Sequence, residues 1–214
     1  MNTLVTICVP SHNRAKYIGR ALRSLIDQTF DKKNFDIIVV DDGSKDKTSL
    51  ILSSFKNDIK VIKNKKKLGL SASLNKAIKL SKSKYFLRVD SDDYVNKEYI
   101  NFLYKMINEN RNYNAAYCDY FLVDEDENFI KRVDAKQNPI ACGIIFKTDD
   151  LRKIGMYSEN KKIYEEIDLI KRLNKDRNYK MLHLKIPLYR YRMHDKNMTK
   201  GKNEKIWSIS VSQV

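Results

Sequence analysis

The sequence predicts an α/β fold built on a doubly wound, mostly parallel sheet with an antiparallel second half. Three observations predict it. In the first half, short apolar, β-branched runs alternate with segments of helical periodicity. That is the pattern of βαβ units, whose crossovers keep neighbouring strands parallel. Two of the apolar runs end in grouped aspartates, Asp41-Asp42 and Asp90-Ser91-Asp92-Asp93, and open parallel sheets form their ligand crevice at such strand ends. From residue 115 onward the order becomes strand, polar turn, strand, which reads as a hairpin.

The elements follow in order. Leu4 to Pro10 (LVTICVP) is apolar on both faces and predicts a buried strand. Tyr17, Ala21, Leu22, Leu25 and Ile26 recur at helical spacing and predict a helix from Ala15 to Gln28. Phe35 to Val40 predicts a second buried strand, Asp41 to Ser44 a turn, and the stretch to Phe55 a helix. Ile59 to Lys63 predicts a third strand, Ser71 to Ser81 a helix, Tyr85 to Val89 a fourth strand, and Lys97 to Glu109 a helix. In the second half, Ala115 to Val123 and Phe129 to Val133 predict strands around the polar turn Asp124 to Asn128. Cys142 to Lys147 and Met181 to Tyr191 predict further strands. Thr148-Asp149-Asp150 reads as a capped helix start, and Tyr164 to Leu173 as a helix.

The length, 214 residues, suits one domain. Residues 1–199 are expected to form it, with 1–95 and 96–199 as its two halves and 200–214 as a tail that Trp207 docks. Apolar residues make up 42% of the chain, which excludes a wholly disordered polymer. No apolar run approaches the ~20 residues of a membrane span, and the first residues do not read as a signal peptide. Cys8, Cys118 and Cys142 are expected to be reduced thiols. Lys+Arg 42 against Asp+Glu 27 gives +15, which favours anionic partners or reflects a solvated, Lys-rich surface. The densest basic cluster (Lys63, Lys65, Lys66, Lys67) has no interleaved aromatics, so nucleic acid is not expected as a partner.

The aspartates at 90, 92 and 93 carry the chemistry. Hard divalent cations take oxygen ligands and are often shared with substrate phosphates. An Asp-x-Asp at a strand end, beside a second acidic pair, points to that use rather than to a helix cap alone.

From these residues outward, the chain resembles the family-2-type inverting glycosyltransferases of bacterial cell-surface polysaccharide synthesis, which have the GT-A fold. Val9-Pro10-Ser11-His12-Asn13-Arg14 resembles the family's opening strand end, and Leu25-Ile26-Asp27-Gln28-Thr29 its first helix end. Ile38 to Ser44 is close to its VVDDGS motif, and Asp90-Ser91-Asp92-Asp93 matches its DxD motif. Ile144 to Gly155, Glu165-Glu166-Ile167-Asp168 and Tyr191-Arg192-Met193-His194 resemble its later motifs. The seven stretches lie in the family's order across nearly the whole chain.

The resemblance implies transfer of a sugar from a nucleotide-sugar donor, with a UDP-sugar favoured. Pro10, Ser11, His12, Arg14, Asp42, Gly69, Asp90 and Ser91 are implied at the donor. Asp92 is implied as a ligand of Mn²⁺ or Mg²⁺, Asp93 competes for that role, and His194 joins as metal ligand or diphosphate contact. Glu166 is implied as the base, or shares the role with Glu165. A saccharide or lipid-linked acceptor is implied, in a cytoplasmic enzyme with peripheral contact to anionic membrane at the inner face of the plasma membrane. Two departures stand out: Glu166 replaces the family's Asp, and Leu74 stands where Arg is common, so that Lys66 or Lys67 would supply the lost contact. Two other readings compete. A sugar-phosphate nucleotidyltransferase would need a Gly-rich loop, and Pro10 to Arg14 has no glycine. A basic nucleotide- or nucleic-acid-binding module would explain the charge but not the carboxylates at the strand ends.

Overall fold

A computed structural model describes residues 3–160, 165–176, 178–195 and 197. The predicted tail with Trp207 and the first residue of the predicted 164–173 helix lie outside the described residues. Nine strands form one sheet in the order β3-β2-β1-β4-β8-β6-β9-β5, with β7 paired to β6 at the side. The strands are β1 Val5–Ser11, β2 Phe35–Asp41, β3 Lys60–Lys63, β4 Tyr85–Arg88, β5 Tyr94–Val95, β6 Ala115–Val123, β7 Phe129–Val133, β8 Ile144–Lys147 and β9 Met181–Arg192. The helices are α1 Ile18–Ile26, α2 Thr48–Ser53, α3 Leu70–Leu80, α4 Tyr99–Glu109, α5 Thr148–Lys153 and α6 Glu165–Leu173. Strands β3, β2, β1 and β4 are mutually parallel. Strand β8 runs antiparallel to both β4 and β6, and β9 runs parallel to β6. A parallel first half and a mixed second half are therefore what the chain adopts.

The continuous apolar run in β1 follows from burial on both faces. Val5, Ile7 and Val9 pack with Leu22 and Leu25 of α1 and Leu103 of α4. Cys8, between them, packs on the other face with Leu74 and Ile78 of α3 and Leu169 of α6. Truncating any of these fully buried leucines to Ala would cost ~2–5 kcal/mol. Both layers lock the parallel strands, so their carboxyl ends at Ser11, Asp41 and Arg88 form one rim.

Several boundaries differ from the sequence-based expectation. Helix α1 starts at Ile18, because Asn13 takes a left-handed φ of 52° and its side chain accepts from Lys45 N–H, holding the chain in a turn. Strand β8 starts at Ile144, after Gly143 with φ 78°. Thr148 is not a cap but the first residue of α5, after an extended Lys147; Asp149 and Asp150 face the positive end of that short helix. The two-residue β5 has no signal in sequence and exists because it pairs with β9. Pro187 is tolerated inside β9 because it sits at a register shift opposite Asp119.

Candidate active site

The rim at the ends of β1 and β2 is built by the two adjacent aspartates in different ways. Asp41 holds its own turn, accepting from Ser44 N–H at 3.0 Å and Ser49 O–H at 3.1 Å. Asp42 accepts from Asn64 Nδ2 and Leu68 N–H on one oxygen and from Gly69 N–H on the other, each at 2.8 Å. A carboxylate has about four acceptor positions, so Asp42 fixes the 64–69 loop and keeps one position for a ligand. Gly43 lets that loop cross closely: a Cβ there would lie 2.8 Å from the Lys66 carbonyl carbon, and its φ is 69°. Gly69 has φ 102° and open space around it. His12 Nδ1 lies 2.8 Å from the Asp42 carbonyl oxygen. Pro10 and Ser11 are buried beside them, and Ser11 Oγ has no protein partner.

At the end of β4 the three aspartates separate by environment. Asp90 is chelated by Arg88, whose Nε and Nη2 donate at 2.7 and 3.0 Å. Asp92 turns toward the open side. Its Oδ2 lies 3.1 Å from Arg14 Nε and 3.1 Å from His194 Nε2. Burial would raise the Asp92 carboxyl, but the His194 contact and the Arg14 charge outweigh it and hold it below the usual range. Asp93 is set apart. It is fully buried and accepts from Tyr189 O–H at 2.7 Å and Arg192 N–H at 2.8 Å. Burial first, then the charges of Asp92 and Asp90, push its carboxyl up. Ser91 is buried between them. Of the expected metal residues, the structure thus brings Asp92 and His194 together and places Asp93 as a pin between the β4 end and β9.

His194 is held from behind. Tyr17 stacks on it with centroids 5.0 Å apart, and Tyr17 O–H donates to Glu125 at 2.6 Å. Arg192 is buried and donates to the Glu125 carbonyl, the Glu127 carboxylate and the Asp92 carbonyl. It braces the site from within the protein, while Arg190 packs over Phe121. Asp92 Oδ2 and His194 Nε2 are paired with each other here, with Arg14 on the same oxygen; an oxygen and a nitrogen ligand this close suit one Mn²⁺ or Mg²⁺ ion in exchange for those contacts. A second close group, Asp90, Asp93 and Cys142, suits one poorly. Arg88 occupies Asp90, and burial pushes the Cys142 thiol well up, away from the thiolate that binds metal.

Helix α6 begins with the paired glutamates. Glu165 is buried and accepts from Arg88 Nη1 at 2.9 Å. Glu166 is buried beside it, and its carboxyl is pushed up to about 7. Burial is the largest cause; the Glu165 charge and a hydrogen bond between the two carboxyls add to it, and Arg88 opposes it. A carboxylate near neutrality is suited to accept and release a proton at physiological pH. Glu166 lines a cavity of about 290 Å³ between α6 and the β6-β8-β9 part of the sheet.

Sequence reasoning missed Arg88, Tyr17 and Glu125. The signal for Arg88 was present: one charge inside the apolar run Tyr85 to Val89, which a buried strand tolerates only when the charge is paired. Leu74 is fully buried against Cys8 and Ile38, so this position serves the core. Lys66 and Lys67 are exposed on the Asp42 loop.

Comparison with known proteins identifies the family and the fold. The family model described as glycosyl transferase family 2 matches residues 6–197. An uncharacterised glycosyltransferase of Rickettsia typhi is 34% identical over 187 residues, covering 78% of this chain and 57% of the relative. The poly(ribitol-phosphate) β-N-acetylglucosaminyltransferase TarS of Staphylococcus aureus is 38% identical over 96 residues, 44% of this chain and 17% of TarS. The crystal structure of TarS 1–349 with UDP-GlcNAc superposes with TM-score 0.79 at 23% identity, covering 94% of this chain and 62% of the other. A mannosyltransferase of Pyrobaculum calidifontis, in complex with GDP-Man and Mn²⁺, shares the fold with TM-score 0.74 at 16% identity, covering 92% and 59%. The chain thus spans little more than half of the Rickettsia relative's length. Among the described residues, no helix is long and apolar enough to cross a membrane.

Proposed function

The chain belongs to glycosyl transferase family 2, and from that premise we propose that it transfers a sugar from a nucleoside-diphosphate sugar, a UDP-sugar before others, to an acceptor hydroxyl with inversion at the anomeric carbon. The observation that carries the reading is the convergence of Asp92 and His194 at the carboxyl rim of the parallel strands, 3.1 Å apart. The UDP preference rests on the likeness to TarS, whose structures hold UDP and UDP-GlcNAc.

In this reading Pro10, Ser11, His12, Arg14, Asp42 and Gly69 bind the nucleoside and its phosphates. Asp90 and Ser91 approach the ribose, with the Asp90 carboxylate oriented by Arg88. Asp92 and His194 hold Mn²⁺ or Mg²⁺, which when bound supplies Lewis-acid stabilisation of the departing diphosphate. The acceptor hydroxyl attacks the anomeric carbon as the bond to the diphosphate breaks. Glu166 takes the hydroxyl proton; burial, with the Glu165 charge added, holds its carboxyl near neutrality, and Arg88 on Glu165 opposes this. One displacement gives one inversion.

The acceptor is a saccharide or a lipid-linked saccharide of cell-surface polysaccharide or glycolipid synthesis. TarS acts on an anionic polymer by its name, and a net charge of +15 suits an anionic acceptor or membrane surface on the cytoplasmic side.

The test is thermal stability against UDP, GDP, dTDP, CDP and CMP, each with and without Mn²⁺. One nucleoside diphosphate should stabilise the protein only with metal, by about 2.7 kcal/mol at 100 times its Kd, and Asp92→Ala should abolish the effect. Stabilisation by oligonucleotides alone, with no response to any nucleotide, would overturn the reading.

A further inference from the structure

A second mixed set of nitrogen and oxygen donors lies away from the Asp92–His194 pair. His183 stands near the start of β9, whereas His194 follows its end. His183 Nε2 lies 2.8 Å from Asp119 Oδ1 on β6 and 3.8 Å from Asp134 Oδ1, directly after β7. The three atoms all lie within 4.8 Å of one another. A single imidazole proton on Nε2 can serve one carboxylate. It serves Asp119, and Asp134 is left beyond hydrogen-bond reach. A divalent cation can bind all three atoms at once.

The spacing suits a particular ion. Zn²⁺ holds nitrogen and oxygen ligands at ~2.0–2.2 Å in a tetrahedron, so neighbouring ligand atoms stand ~3.3–3.6 Å apart. The separations of 2.8 and 3.8 Å straddle that value, and shifts of about half an ångström close the site. The imidazole nitrogen favours Zn²⁺ over Mg²⁺ or Ca²⁺, which prefer oxygen throughout.

Each ligand is already aimed. Ala135 N–H donates to Asp119 Oδ1 at 3.0 Å, and Lys136 N–H donates to Asp134 Oδ1 at 2.7 Å. A carboxylate oxygen has two acceptor positions, so each keeps one for a metal. Arg132 Nη2 binds the other Asp119 oxygen, Oδ2, at 2.8 Å and leaves Oδ1 to the ion. Tyr117 stacks on the His183 ring with centroids 4.6 Å apart. Asp119 is buried and Asp134 exposed, so the ion has a way in from solvent.

We propose that Asp119, Asp134 and His183 form a Zn²⁺ site, with water as the fourth ligand, that fastens the segment after β7 to β6 and β9. The ion replaces the proton on Nε2, and the neutral ring keeps one on Nδ1. That atom has no hydrogen-bond partner among the described residues. Supporting partners of ligating imidazoles are worth ~10–100-fold in affinity, so binding on the order of micromolar is expected. The fastened segment includes Ala135 and Lys136, which line the cavity that Glu166 also lines. The site does not depend on the transferase reading, because it shares no residue with the proposed donor machinery.

Calorimetric titration of Zn²⁺ into the full chain, without nucleotide, tests the site. Asp92→Ala, which lacks the proposed donor-side ligand, should still bind one Zn²⁺. In that background Asp134→Asn should weaken binding at least about tenfold with unchanged far-UV circular dichroism, and His183→Gln should do the same. Zn²⁺ should raise the melting temperature of Asp92→Ala but not that of Asp92→Ala with Asp134→Asn. No heat of binding in Asp92→Ala, or equal affinity with and without Asp134→Asn and His183→Gln, overturns the proposal. Displacement of Zn²⁺ by equimolar Mg²⁺ would show that the imidazole takes no part and overturns it as well. Loss of nucleotide binding in Asp92→Ala with this Zn²⁺ site intact would leave the two metal assignments separate.

Discussion

Arg88 Nη1 donates to Glu165 at 2.9 Å while the rest of the same guanidinium chelates Asp90. One buried cation therefore joins the aspartate loop after β4 to the first turn of α6, which lies 77 residues further along the chain. Asp90, proposed at the donor, and Glu165, beside the proposed base, are registered against each other through it.

Removing that cation leaves the buried Glu165 and the part-buried Asp90 without their shared partner. Arg88→Ala should destabilise the fold by ~3–5 kcal/mol, the usual cost of breaking a buried ion pair from one side. Arg88→Lys should recover only part of it, since an ammonium cannot reproduce the bidentate grip on Asp90. Urea denaturation midpoints check both.

Glu166 should set the pH dependence of transfer. The base must be deprotonated, so kcat should rise through about pH 7 and level off above it. Glu166→Gln should lower kcat by ~10²–10⁴ while leaving nucleotide affinity within twofold. The stability effect has the opposite sign. A carboxyl whose pKa is raised on folding contributes stability below its unfolded value, and that contribution fades as pH climbs to about 7. Wild type should therefore lose thermal stability relative to Glu166→Gln between about pH 4.5 and 7; a constant difference across that range would contradict the assignment.

Tyr17 should matter for metal without touching it. Tyr17→Ala removes the ring stacked on His194 and should weaken Mn²⁺ binding by ~10–100-fold, the scale on which supporting residues of metal ligands act. Tyr17→Phe keeps the stack and loses only the Glu125 bond, so it should retain most of the affinity. Calorimetric titration of Mn²⁺ into each variant with UDP present separates the cases.

Gly43 should tolerate no side chain. Gly43→Ala forces a left-handed φ and drives a methyl group into the Lys66 backbone. The expected cost is ~1–3 kcal/mol, together with weaker nucleotide binding, because the displaced loop is the one Asp42 holds. A melting temperature equal to wild type would show that the Lys66 backbone gives way to a Cβ at this crossing.

The parallel half was legible because its strands are apolar on both faces and its helices carry one apolar stripe. Val5 to Val9 and Ala21 to Leu25 need no distant information to be read. The ends were less legible. Helix α1 begins late because Asn13 bonds to Lys45, a contact the local pattern does not contain. Strand β5 is defined only by its partner. Within the site, the motif order pointed to Asp92 and His194, yet the division of labour among Asp90, Asp92 and Asp93 follows from Arg88, Tyr189 and Arg14.

The acidic turn between β6 and β7 grips α1: Glu125 holds Lys16 and Tyr17, and Glu127 holds Arg20 and Arg192. The Asp92–His194 pair proposed to hold the metal thus depends on segments far apart in sequence, Arg14 before the first helix and His194 after β9, and forms only when β9 has reached α1. During refolding, affinity for Mn²⁺ should therefore emerge after the bulk of the helical signal, as a clock for completion of the sheet from β1 to β9 rather than of its parallel half.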